Sequence, residues 1–421
     1  VKTKLAYGKS DLEITLPDDV CVDIIEPIFL PGLEDQTHAL QQAMREPIGS
    51  ASLAQIINPD DTVGIVFSDI TRATPNHIIA PAILHEIDFV PYENITLFIA
   101  TGTHKPCTDE ELAKMFGPEI VNRCNIVQND ARDADSHISV GTTKSGNNIR
   151  LNREFLNCDK KILTGFIEPH FFAGFSGGPK AVMPGMANLE TVYKNHSAKN
   201  MDDPGATWGV TYGNAIWDDV IEAAGMANPD FIVNVTLNRE KQITAVFAGE
   251  LKKAHAAGCE FVKQNAMATI AEPYDIVISS NSGYPLDLNL YQSVKAMSAA
   301  AQVVKPGGVI IVAAQCSDGI PEPSGFAELL FDADSLEGLL GNIRADGFFK
   351  ADMWQAQILA IIRQKADVYF CSDNLTDDQL DGAFLTPCHD IDQTVKTLFE
   401  TVGPEARICV LPEGPQTIPY V

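Results

Sequence analysis

Two hydrophobic periods alternate along this chain. Short unbroken runs of β-branched and aromatic residues, TVGIVFSD (62–69), NITLFIAT (94–101) and DKKILTGFIEP (159–169), read as buried strands, while NHIIAPAILHEI (76–87) repeats its apolar positions at helical spacing. A long helical pattern covers 251–270, after which AEPYDIVISSNSGYP restarts the strand pattern across a short polar stretch with a proline, marking a boundary near 273. The second half continues as helix 290–304, strand 307–315, helix 353–366, strand 367–372, helix 390–402 and strand 406–415. Alternating strand and helix predicts α/β layers on mostly parallel sheets. At 421 residues the chain exceeds a single typical core. We expect two α/β domains, 1–262 and 273–402, with 403–421 a strand that could complete the first, and a cleft between the domains.

Charge narrows the function classes. The formal net charge of -26 disfavours general affinity for nucleic acid or anionic membranes, which requires clustered Lys and Arg. No apolar stretch approaches the roughly 18–20 residues of a membrane span. The first residues, VKTKLAYGKSDLEITLP, lack the apolar core of a secretory signal, and nine scattered cysteines form no CxxC pair, which reads as reduced thiols in a cytoplasm.

In open α/β sheets ligands collect beyond the carboxyl ends of strands, so the corners there carry the candidate chemistry. SDITRATP (68–75) sets Asp69 and Arg72 three apart, with Ile70 between and Thr71 and Thr74 as hydroxyls; this suits an anion at a helix start, or equally a capping turn with a surface pair. ATGTHKP (100–106) presents His104 just after a strand, and EPHFFAGFSGGPK (168–180) repeats the arrangement with His170. Two imidazoles at two strand ends suit proton transfer on both faces of one ligand.

Lys180 ends a glycine-rich run, yet the run is no phosphate loop of the GxxxxGK[ST] kind. Pro179 removes a backbone donor where the cradle needs one, and Ala181 replaces the metal-binding hydroxyl. The lysine either points to water or is held against a ligand; near aromatics it can lose its charge and become a nucleophile or covalent anchor. The glycines are expected to let a flat cofactor lie against the backbone. His196, in ETVYKNHSAKN, has no HExxH-type spacing. Gln292 and Lys295 stand at i and i+3 on a helix, where they could hold a carboxylate or simply be exposed. Trp354, taken alone, reads as core.

Jointly, DITR (69–72), GTH (102–104), EPH with GFSGGPK (168–180), His196 and YQSVK (291–295) resemble the nickel-pincer lactate racemase family over nearly the whole chain. The resemblance implies a two-domain α/β racemase or epimerase of a 2-hydroxy acid, working by reversible hydride transfer through a 2-keto acid. Its implied cofactor is nickel pyridinium-3,5-bisthiocarboxylic acid mononucleotide, covalently linked at Lys180 with His196 as the protein ligand of Ni(II). It further implies His104 and His170 as paired proton donors and acceptors, and Asp69, Ile70, Thr71 and Arg72 beside the nucleotide or substrate. Gln292 and Lys295 match substrate-binding positions, Trp354 a tryptophan near the site, and accessory biosynthetic proteins would supply the cofactor. Two other readings stay open: a pyridoxal-phosphate-type enzyme linked at Lys180, and a non-catalytic protein that binds a nucleotide-like anion.

Overall fold

The computed structural model describes residues 1–17, 20–403 and 405–421. They form two compact units: Phe29–His196 with Asp203–Gln264, and Val1–Ile28 with Ser197–Asp202 and Asn265–Val421.

The first unit is built on a six-stranded sheet. Its order is Ile243–Gly249, Phe231–Leu237, Lys160–Phe166, Val63–Ser68, Ile95–Ala100, Asn125–Gln128. Every pair is parallel except the outermost, Phe231–Leu237 with Ile243–Gly249. Strands covered on both faces need apolar side chains at every position, which is why 63–67 is fully buried without polar alternation. Val63, Ile65 and Phe67 join one apolar cluster, while Val66 joins the other with Phe98 and Leu163. Gly64 leaves room on the second face: a Cβ there would sit 2.9 Å from Cys158 Sγ.

Successive strands run outward from Val63–Ser68 through Ile95–Ala100 to Asn125–Gln128, and the chain then returns to lay Lys160–Phe166 on the other side of Val63–Ser68. That reversal is a topological switch point. It leaves a crevice beyond the carboxyl ends of the two central strands, the place where sheets of this kind bind ligands.

The second unit holds an all-parallel sheet ordered Thr386–Pro387, Asp367–Cys371, Val304–Ala313, Tyr274–Ser280, Arg407–Leu411, Cys21–Ile24. Here the expected boundaries change. The tail strand Arg407–Leu411 pairs with Tyr274–Ser280, so 403–421, apart from Pro404, which lies outside the described residues, completes the second unit and not the first. Residues 1–17 and 20–28 go with it, because the hairpin of Lys2–Tyr7 and Ser10–Thr15 packs Leu5, Tyr7 and Ile14 onto Ile276, Ile278 and Ile311. The helix expected over 251–270 ends at Ala266, and Met267–Thr269 instead pairs in parallel with Ile418–Tyr420. Long-range pairing there overrides the local helical period.

Candidate functional site

The switch point of the first unit carries the candidate chemistry. Directly after Val63–Ser68 stands Asp69, 2% exposed. A buried carboxylate is costly unless it is fully hydrogen-bonded. Here the Thr71 hydroxyl and amide donate to Oδ1 at 2.6 and 3.2 Å, and Oδ2 faces His104 Nδ1 at 2.7 Å. Burial alone would raise the Asp69 pKa, but the His104 and Thr71 hydrogen bonds with the charges of His104 and Arg72 outweigh it and hold the carboxyl below its ordinary value. Asp69 therefore caps no helix: Asn76–Glu86 begins after Pro75 without a side-chain cap.

His104 sits one turn beyond Ile95–Ala100, its amide donating to Thr101 O at 3.0 Å. Gly102, at φ +55°, donates to Gly185 O at 3.1 Å, a backbone conformation L residues rarely adopt. With Nδ1–H given to Asp69, the neutral ring carries its lone pair on Nε2. Its side chain remains 42% exposed, so that lone pair is accessible.

His170 follows Lys160–Phe166 in a short hairpin and pairs with Gly174. Its Nδ1 accepts the amides of Ala173 at 3.3 Å and Phe172 at 3.5 Å, which in the neutral ring leaves the proton on Nε2. His104 and His170 thus stand in opposite tautomers.

Phe172 gathers the rest. Its ring lies edge-on to His170 at 4.5 Å and to His196 at 5.1 Å, and Lys180 Nζ stands 5.7 Å from its centroid. The sequence marks the aromatics here but assigns Phe172 no role; its place two residues after His170 is the available signal. Lys180 sits on the 3-10 turn Gly178–Ala181, half-buried and densely surrounded by protein. That desolvation, helped by the Arg72 charge and opposed by Glu168, brings its pKa down to about 7. His196 ends the helix Leu189–Asn195 and donates Nδ1–H to Val192 O at 3.1 Å, fixing the Nε2 lone pair. Burial first, and then the Lys180 charge, push it down to about 3 against the Val192 hydrogen bond. The imidazole is therefore neutral at physiological pH, the form that ligates metals.

Arg72 and Thr71 are exposed at the same corner, and Ile70 is half-buried against the apolar cluster beneath it. Arg72 acts electrostatically on both Asp69 and Lys180, which links the two groups of residues. Gln292 and Lys295 belong to the second unit, half-buried in the first turns of Leu290–Ala301, where Asn289 caps the helix by accepting the Gln292 amide at 3.0 Å. Trp354 in that unit donates Nε1–H to Tyr291 Oη at 3.3 Å. Among the described residues no three His, Cys, Asp or Glu side chains cluster to hold a metal on protein ligands alone.

The glycines do something other than expected. Gly174, at φ +75°, is pressed so closely on Val210 that a Cβ would stand 2.1 Å from its carbonyl oxygen. Gly178, at φ +50°, would place a Cβ 2.5 Å from His255 Cδ2, and its amide already donates to Asn234 Oδ1 at 2.6 Å. Both serve packing of the loop onto its own unit. The occupied Gly178 amide also removes a donor that a phosphate cradle would need.

Residues 7–209 match the lactate racemase N-terminal domain and 269–418 the lactate racemase C-terminal domain. The lactate racemase of Thermoanaerobacterium thermosaccharolyticum is 36% identical over 421 residues, covering 99% of this chain and 98% of its own; that of Lactiplantibacillus plantarum is 37% identical over 382 residues, covering 90% of each. The structure of the T. thermosaccharolyticum lactate racemase apoprotein superposes with a TM-score of 0.93 at 35% identity over the full length of both chains. A crystal structure of a Thermotoga maritima protein, 18% identical with a TM-score of 0.67, covers 93% of this chain and 99% of its own and shares the fold alone. The chain belongs to the lactate racemase family. It is thereby an isomerase of the racemase class by kinship, with no helix long and apolar enough to cross a membrane among the described residues.

Proposed function

We propose that this protein racemises lactate or a closely related 2-hydroxy acid, using a nickel-pincer nucleotide held by Lys180 and His196. The observation that carries the reading is the grouping around Phe172. A lysine whose pKa lies near 7, a buried neutral imidazole and a second histidine share one aromatic ring at a switch point. An amine partly neutral at pH 7 suits covalent attachment, and a neutral His196 suits a divalent nickel otherwise ligated by the cofactor. The residues present therefore fit the group. When bound, it supplies a carbon that can take hydride from C2 of the acid and return it to either face.

The chain's own residues do the rest. His104, oriented by Asp69, accepts the hydroxyl proton of one enantiomer at Nε2; after the intermediate ketone has turned, His170 in its imidazolium form gives a proton to the product oxygen, and the two exchange roles in the reverse direction. Arg72 and Thr71 contact the nucleotide or lie beside the substrate, with Ile70 as their apolar footing. Gln292 and Lys295 bind the substrate carboxylate. Accessory biosynthetic proteins deliver the cofactor, and the setting is cytoplasmic, in keeping with nine cysteines that are all free thiols. The occupied Gly178 amide weighs against a pyridoxal phosphate at Lys180.

The test is cofactor-loaded protein incubated with a panel of single-enantiomer 2-hydroxy acids and read by chiral chromatography. Loss of enantiomeric purity with lactate, together with nickel and a sulfur-bearing adduct on the Lys180 peptide, is the expected result. Retained purity across the panel would sink the reading.

A further inference from the structure

The turn that carries Lys180 is gripped by two side chains that the proposed chemistry leaves without a role. Asn234, fully buried on the strand Phe231–Leu237, accepts the Gly178 amide through Oδ1 at 2.6 Å. Its Nδ2 is buried with no hydrogen-bond partner among the described residues. An orphaned buried donor costs stability, so a residue kept solely for folding would be better replaced by an apolar one. The second grip is His255, 4% exposed on the helix Leu251–Ala266. Its Nε2–H donates to Ser176 O at 2.9 Å, and its ring packs on Gly178 so tightly that only glycine fits.

The ring is itself fixed from two sides. Trp217 stacks on it at 5.0 Å and 22°, and the Cys259 thiol, held protonated because burial pushes its pKa up, donates to Nδ1 at 3.4 Å. Ser176, between the grips, ties the turn to the end of the preceding strand: its Oγ donates to Phe166 O at 2.8 Å and accepts the Glu168 amide at 2.9 Å.

We propose that Asn234 and His255 are positioning residues for Lys180, a two-point clamp that holds the 176–180 turn so the lysine amine is presented beside Phe172. This rests on reading Lys180 as the cofactor anchor. The clamp acts through backbone, on Ser176 O and Gly178 N–H, so it sets where Lys180 begins without touching its amine. It also gives the glycine run its reason: Gly178 lacks a side chain because the clamp's imidazole occupies that space.

His255 borders a cavity of about 280 Å³ that also reaches Pro179, Trp217 and Cys259. Truncating the ring enlarges existing space, so His255→Ala is expected to fold. In cofactor-free protein at pH 7, acetylation of Lys180 by acetic anhydride is followed by peptide mass mapping against the other lysines as internal standards. Loosening the turn returns the amine to water and its usual charge. His255→Ala and Asn234→Ala should each slow Lys180 labelling about tenfold or more, leaving other lysines unchanged, while His255→Gln, which can still donate to Ser176 O, should restore the rate to within about twofold of wild type.

Labelling of Lys180 within twofold of wild type in folded His255→Ala overturns the clamp. Should that variant fail to fold, Asn234→Ala decides on the same readout. Failure of the anchor reading looks different: Lys180→Arg would retain racemisation in loaded protein, whatever the labelling shows.

Discussion

His104 and His170 occupy equivalent corners, each just beyond a strand of the same six-stranded sheet, yet they are held by opposite means. A carboxylate takes the Nδ1 proton of His104, whereas backbone amides donate to Nδ1 of His170. The neutral rings consequently offer a lone pair at one corner and an N–H at the other. His104 is ready to accept a proton as it stands, whereas His170 gives one once a second proton from solvent has made it imidazolium, and the pair can then start on one enantiomer and finish as its mirror image. Enantiomers are equal in free energy, so kcat/KM must match in the two directions. The asymmetry therefore has to appear in kcat and KM separately.

The strongest way to break this comparison is to remove either ring. His104→Ala and His170→Ala are each expected to lower kcat/KM by roughly 10²–10⁴ with both enantiomers, since each turnover uses both histidines. Initial rates from pure D- and L-lactate check it, and near wild-type activity in either variant would end the two-histidine account. Asp69→Asn probes one corner alone. An amide can donate to Nδ1 and so turn the His104 tautomer around, at a cost of about 10–100-fold in kcat with little change in KM. Equal losses in kcat and substrate affinity would instead mark Asp69 as a binding group.

A third prediction concerns stability. His255 and His196 have folded pKa values of about 4 and about 3, both below the ordinary 6.5, so the unfolded chain binds more protons as pH falls through that window. Their contribution is complete above pH 6.5 and is lost on acidification, with the lowered Asp69 carboxyl adding in the same sense at lower pH. His255 alone accounts for on the order of 3 kcal/mol between pH 7 and pH 4. Urea unfolding of the cofactor-free protein at several pH values reads this, and a flat profile from 7 to 4.5 would contradict it. The smallest effect is expected at Thr71. Thr71→Val removes the 2.6 Å hydrogen bond to Asp69, worth about 1 kcal/mol, and should cost less than about tenfold in kcat.

What the sequence revealed follows the range of the interactions. The strands at 62–69, 94–101 and 159–169 announce themselves because a strand buried on both faces must be apolar throughout, and the corners beyond them could be found from those ends alone. The sheet that receives the two termini could not be found, because Cys21–Ile24 and Arg407–Leu411 are paired by contacts hundreds of residues apart. The candidate residues were legible as types, whereas their partners were not. Asp69 beside Arg72 reads as a local pair, but its hydrogen-bond partner lies 35 residues away. The glycine run suggested a flat cofactor lying against the backbone, while the groups that pack on that run, Asn234 and His255, arrive 56 residues after Gly178 and 79 after Ser176.

The most direct test of the central claim is racemisation of single-enantiomer lactate by cofactor-loaded protein in D₂O, stopped at partial conversion and read by NMR at C2. The account gives the two histidines only the hydroxyl proton, which exchanges with solvent, so the product enantiomer should keep protium at C2. Deuterium at C2 in step with racemisation would mean that His104 and His170 remove the carbon-bound proton, and would contradict it.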